Sequence, residues 1–255
     1  MSTIATRTLS LSLAGALCCA GLLTGCINSH DSDNASENAA PGASANTGNE
    51  DHDSDGTGNH AINASLHVSA GTPGGDVTTI NGSIRADDNA RLAGGHTVNG
   101  NISLGANATA TSLTTVNGGI VLGQGAKVSE TVTTVNGTLA LHSGSEVGGR
   151  LANVNGTIIL AAATVKGGIT TVNGNIDIGA NSHVQGGITV HKPSTGFFQW
   201  WSDSDKPRVV VGPGSVIEGQ MKFERAVRLY VSDTATVGPV IGATPVRFSG
   251  NQPPT

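Results

Sequence analysis

Side chains able to do chemistry are few in this chain of 255 residues, and they are unevenly placed. The three cysteines, Cys18, Cys19 and Cys26, all fall in the first 26 residues, so a disulfide framework or thiolate metal site further along is excluded. Cys26 directly follows Leu23-Thr24-Gly25. Asp51-His52-Asp53-Ser54-Asp55-Gly56 has the alternating carboxylates and turn glycine that open a calcium loop. Its twelfth position is Ile62, where a bidentate Glu would complete the ion's shell, so a solvated acidic run explains it better. No metal site and no cofactor is expected. Among the eight histidines, His142 and His183 take different positions within the repeat that dominates the chain, and His96 takes a slot expected to point inward, as a packed residue. No Ser/His/Asp set, phosphate loop or dinucleotide fingerprint occurs, and an enzyme is not expected. Four of the seven aromatic residues cluster at Phe197, Phe198, Trp200 and Trp201. Such a group either seals a flank of the fold or forms a docking patch.

Those residues must be positioned by the elements around them. The first 25 residues hold one basic residue, Arg7, an apolar run from about Leu9 to Leu23 and a small-residue end, which predicts a cleaved signal peptide too short to remain as a membrane span. Residues 26–61 are polar and acidic, with almost no large apolar side chain, and are expected to be a disordered tether. About 35 such residues reach on the order of 30–35 Å. Residues 28–65 carry seven acidic and no basic side chains, whereas the chain from Leu66 onward is nearly neutral, with 12 basic and 11 acidic. That balance lacks the clustered basic surface of a nucleic-acid binder.

A repeat dominates the rest. INAS, INGS, VNGN, VNGG, VNGT, VNGT and VNGN begin at residues 62, 80, 98, 116, 135, 154 and 172, a period of 18 or 19. Within a unit, apolar or small residues fall in pairs two apart: Ile176 and Ile178, Ser182 and Val184, Ile188 and Val190, or Ile120/Leu122, Ala126/Val128 and Val132. Each pair is the period of a short strand facing inward, and each break is a corner. Asn-Gly could equally mark a hairpin, but strands of three or four residues make no stable meander, whereas stacked coils pair every strand with its equivalents.

The pattern therefore predicts an all-β, single-stranded triangular β-solenoid of about nine coils. Regular repeats are expected over 62–190, an aromatic loop insertion over 191–208, and C-terminal coils and a cap over 209–255. In that last part the expected inward residues are Val209/Val211, Ser215/Ile217, Met221/Phe223, Val227 and Leu229, then Ala235, Val237 and Ile241. The column Asn63, Asn81, Asn99, Asn117, Asn136, Asn155 and Asn173 should stack at one corner. Asn tolerates left-handed backbone, and its amide can bond to the next coil, so its expected role is structural.

Leu23-Thr24-Gly25-Cys26 resembles the lipobox of bacterial lipoproteins, which implies diacylation of Cys26 after cleavage. Ile27 at the next position implies, by the enteric sorting rule, an outer-membrane anchor facing the periplasm. VNGNIDIGANSHVQGGITV and its siblings resemble the repeats of bactofilins, polymer-forming cytoskeletal proteins whose triangular β-helix associates end to end. LGQGAKV, IGANSHV and VGPGSVI resemble the hexapeptide motif of left-handed β-helix acyltransferases, but here the motif occurs once per coil. Together these imply an anchored, self-associating scaffold of the bacterial envelope. The alternative is a monomeric adhesin or ligand-binding surface lipoprotein that meets an envelope protein or polysaccharide through the aromatic loop, and an acyltransferase-like enzyme comes third. With the C-terminal end blunted by Pro239, Pro245, Pro253 and Pro254, pairing is expected through the N-terminal coil at Leu66 and Val68.

Overall fold

The computed structural model describes residues 43–45, 58–71, 74–193 and 206–254. Among them the regular structure is entirely β, and the chain winds as a β-solenoid of about nine turns. Its strands stack into sheets of eleven, ten and seven members, here faces A, B and C. One turn shows the plan. Ile120–Leu122 lies on face A, Lys127–Val128 on C and Val132–Asn136 on B, and the Asn136-Gly137 corner returns the chain to A at Leu139–Leu141. Each strand pairs in parallel with its equivalents one turn away: Ile120 lies opposite Ile102 and Leu139, Val128 opposite Ala110 and Val147, and Val132 opposite Leu113 and Leu151. Stacking thus satisfies backbone groups that strands of two to six residues could not satisfy alone.

Alternation fills the interior. Ile120, Leu122, Ala126, Val128 and Val132 are all buried, as are Ile176, Ile178, Ser182, Val184, Ile188 and Val190. Burying each Leu or Ile side chain contributes roughly 1.5–3 kcal/mol. Because a turn buries its apolar residues only against its neighbours, the core is one continuous column from Leu66 to Ala235.

The two kinds of corner have different causes. Between faces A and C the chain takes the left-handed conformation at Asn89, Asn107, Gly125, Gly144, Ala162, Asn181 and Gly214. None of the seven asparagines of the Asn-Gly column has positive φ, so the left-handed role expected there belongs to this other corner. What the Asn-Gly corner needs is a missing Cβ. A Cβ on Gly100 would lie 1.8 Å from Gly82 O, one on Gly118 1.9 Å from Gly100 O, and one on Gly137 2.0 Å from Gly118 O. Each glycine packs on the carbonyl of the glycine one turn below. In the first repeat the same place holds Ala64.

Several expectations fail where a corner changes length, because one residue reverses which side chains face in. His96 points outward: Gly95 takes the inward place opposite Leu113, since the step from Leu92 to Gly95 is three residues where that from Val128 to Val132 is four. In the last turns Leu229 and Val231 form the buried pair and Val227 is only partly buried, because the step from Phe223 to Leu229 is six residues where that from Thr171 to Ile176 is five. Val240, not Ile241, lies opposite the buried Met221, and the shortened corner carries Pro239. Strands also begin earlier than Ile62. Gly58–Ala61 starts face B, and Ala43–Ala45 lies antiparallel to Leu66–Val68 at the first edge of face A, so the N-terminal edge there is covered.

Candidate functional site

The most regular chemical feature is the asparagine edge between faces B and A. Each side-chain amide donates to the carbonyl oxygen one turn below: Asn81 Nδ2 to Asn63 Oδ1 at 2.8 Å, Asn99 to Asn81 at 2.8 Å, Asn117 to Asn99 at 2.9 Å, Asn136 to Asn117 at 3.0 Å, Asn155 to Asn136 at 2.9 Å and Asn173 to Asn155 at 3.0 Å. All seven amides point the same way, which leaves the acceptor Asn173 Oδ1 at the top. Arg225, at the corner two turns on, closes that end by donating from its guanidinium to Asn173 Oδ1 and, at 3.2 Å, to Val172 O. A charge-assisted bond is well matched to the electronegative end of an aligned row of amides.

A second column sits two residues before the asparagines, and the repeat alone does not reveal it. Thr79, Thr97, Thr115 and Thr134 are buried, and each hydroxyl donates at 2.9 Å to the carbonyl of the corner residue below, namely Ala64, Gly82, Gly100 and Gly118. The recurring Thr in TTVNG is its signal. Asn153 interrupts the column. Its Nδ2 donates to Gly137 O at 2.9 Å, but its buried Oδ1 has no hydrogen-bond partner.

The outer surfaces differ in charge. Through its middle, face B presents Thr114 and Thr133 beside Val116 and Val135, with no charge among them, whereas Thr170 and Val172 further along the same face are buried. Face C and the neighbouring corners carry Lys127, Glu146, Lys166, His183 and Glu218. Lys166 pairs with Glu146 and holds its carboxyl below the ordinary value, while His183 Nε2 lies 2.7 Å from Glu218 Oε1. His67 Nε2 lies 2.7 Å from Asp87 Oδ1, and His191 Nδ1 lies 3.0 Å from Glu224 Oε2. Each of these links joins one turn to the next. Glu224 also accepts from Lys222 Nζ at 2.8 Å, and that bond, followed by the one from His191, holds its carboxyl down to about 2.

A shallow depression of about 500 Å³ opens beside Arg85, Asp87, Asp88 and Ser103. Its carboxylates already bind within the fold: Asp87 holds His67, and Asp88 Oδ1 accepts Ala106 N–H at 2.7 Å. His142 is exposed, and His96 turns outward near Asp76, over Gly94. Among the described residues no cluster of three or more metal-ligating side chains forms, and no helix is long and apolar enough to cross a membrane.

Cys26 with Leu23, Thr24 and Gly25, the acidic run Asp51–Gly56, and the aromatic cluster Phe197, Phe198, Trp200 and Trp201 lie outside the described residues. In sequence the cluster falls between Ile188–Val190, which lies on face B, and Arg208–Val211, which lies on face A. No protein-family model, curated protein or solved structure matches the chain.

Proposed function

We propose that this protein is a structural module of the bacterial envelope: a lipid-anchored β-solenoid that associates with copies of itself into dimers or short oligomers. The bactofilin-like repeats and the lipobox-like Leu23-Thr24-Gly25-Cys26 support that reading from sequence. The observation that carries it is the C-terminal end of the stack. Val237 and Val240 occupy core positions yet are only partly buried, and Ile241 and Val246 are 51% and 50% exposed. That end therefore leaves apolar surface and strand edges without a covering turn among the described residues. Pairing moves there from the N-terminal coil, whose face A edge is already covered. Arg247 sits in the inward register opposite Val231, and with Pro239 and Pro245 it favours a closed pair over an endless filament.

Sedimentation velocity of residues 26–255 carrying Cys26→Ser tests this. Reversible dimers or short oligomers are expected at micromolar concentration, and Ile241→Asp with Val246→Asp should weaken them. A strictly monomeric protein at high micromolar concentration would transfer the assignment to the second reading, a monomeric surface lipoprotein that binds an envelope partner. Guarding of face A at both ends, by Ala43–Ala45 and by Arg247, favours that second reading.

A further inference from the structure

The strand Ala43–Ala45 is set apart by direction. Every other strand pair among the described residues is parallel, whereas this one runs antiparallel to Leu66–Val68, with Ala43 opposite Val68, Ser44 opposite His67 and Ala45 opposite Leu66. Alternation along Leu66–Val68 shows which groups it holds. Leu66 N–H donates to Ser83 O at 2.9 Å and Val68 O accepts from Asp87 N–H at 3.0 Å, so both residues spend their backbone groups on the turn above. His67 then directs its N–H and C=O the other way, at Ser44. Opposed residues of that kind exchange both backbone hydrogen bonds.

We propose that Ala43–Ala45 is an intramolecular guard strand: it occupies the first edge of face A and blocks a second copy of the chain from adding a strand there. An uncovered parallel edge is a template for strand addition, and the turn at Leu66 would otherwise offer one. The guard is also built to be displaced. It is three residues long, Ala-Ser-Ala has little apolar surface to bury, and alanine is a poor strand former. It lies in the stretch that joins Cys26 to the solenoid, so whatever draws on that stretch draws on the guard. The occupant of the bared edge is a second copy of this chain, which rests on the self-association reading.

Ser44→Pro is the direct test, because proline removes the N–H that Ser44 presents to His67. In residues 26–255 with Cys26→Ser, amide exchange at His67 should be slow and should speed up on the order of tenfold or more in the Ser44→Pro variant. Self-association of that variant, measured by sedimentation, should tighten about tenfold, equivalent to 1.4 kcal/mol. Unchanged exchange at His67 would show that no guard strand forms. Faster exchange with unchanged association would show a strand that guards nothing, whether or not the parent protein associates through its C-terminal end. A Ser44→Cys, His67→Cys pair in the same background separates the remaining case, since paired residues about 5.5 Å apart at Cα suit a disulfide. A covalent monomer is expected on oxidation, whereas a covalent dimer would mean that the strand is exchanged between copies and would overturn an intramolecular guard.

Discussion

Single residues carry this fold chiefly through what they do for the turn below them. Asparagine at the B–A corner is kept by its amide, glycine beside it by a carbonyl that leaves no room for a Cβ, and threonine two places earlier by a hydroxyl that donates to that same kind of carbonyl. The asparagine column was legible from spacing alone. The threonine was not, since in TTVNG one threonine faces out and the next faces in, and only the parity of the strand separates them. Asn153 exposes the logic by breaking it. Its Oδ1 is buried without a partner, and an unsatisfied buried acceptor costs roughly 1–3 kcal/mol. Asn153→Thr restores the side chain that Thr115 and Thr134 have at equivalent places, with a donor for Gly137 O and no orphaned carbonyl. It is expected to stabilise the solenoid by about 1 kcal/mol in thermal unfolding. A lower melting temperature in that variant would show that Asn153 has a partner in solution that threonine cannot replace.

At the scale of strands and corners, the sequence revealed the strands well and the corner lengths poorly. Pairs two apart locate the buried strands of the turns at residues 120–132, 176–190 and 209–223, because a narrow interior admits only the inward members of each pair. Corners have no such constraint. One residue fewer after Leu92, one fewer at Pro239 and one more after Phe223 each reverse the facing of the next strand, which is why spacing alone misplaces His96, Ile241 and Val227. Elsewhere adjacent turns are tied by surface side chains, most clearly at Glu224. Because its carboxyl is held at about 2 in the folded chain, below the ordinary 4.5, its pairing with Lys222 and His191 stabilises the fold above pH 4.5 and is lost as pH falls toward 2. Glu224→Gln is therefore expected to lower the melting temperature slightly at pH 7 and to flatten its decline between pH 4.5 and 2. An unchanged decline across that window would mean that the pair contributes nothing to stability.

At the scale of the whole solenoid, about nine turns at ~4.8 Å each stack to a length on the order of 40–45 Å. Its interior explains its fold, and buried polar side chains such as Thr115 and Thr134 bond to the turn below. Under the proposed function, the ends of the stack and an acylated Cys26 are the parts that would act. Ala43–Ala45 closes one edge of face A, Arg247 blunts the other, and Ile241 and Val246 stay exposed, so the proposed association of copies would depend on how many of them are held at one surface. A thiol acylated at Cys26 would hold them. Two acyl chains give stable attachment where one gives only reversible binding, and concentration in a plane then favours even a weak end-to-end contact. Cys26→Ala removes the only thiol that follows the small-residue end of the apolar run. It is expected to release the protein from the membrane fraction while leaving its far-UV circular dichroism and melting temperature unchanged. Retention of Cys26→Ala at the wild-type level, with the first 25 residues removed, would show that some other part of the chain binds the membrane and that no lipid on Cys26 is needed.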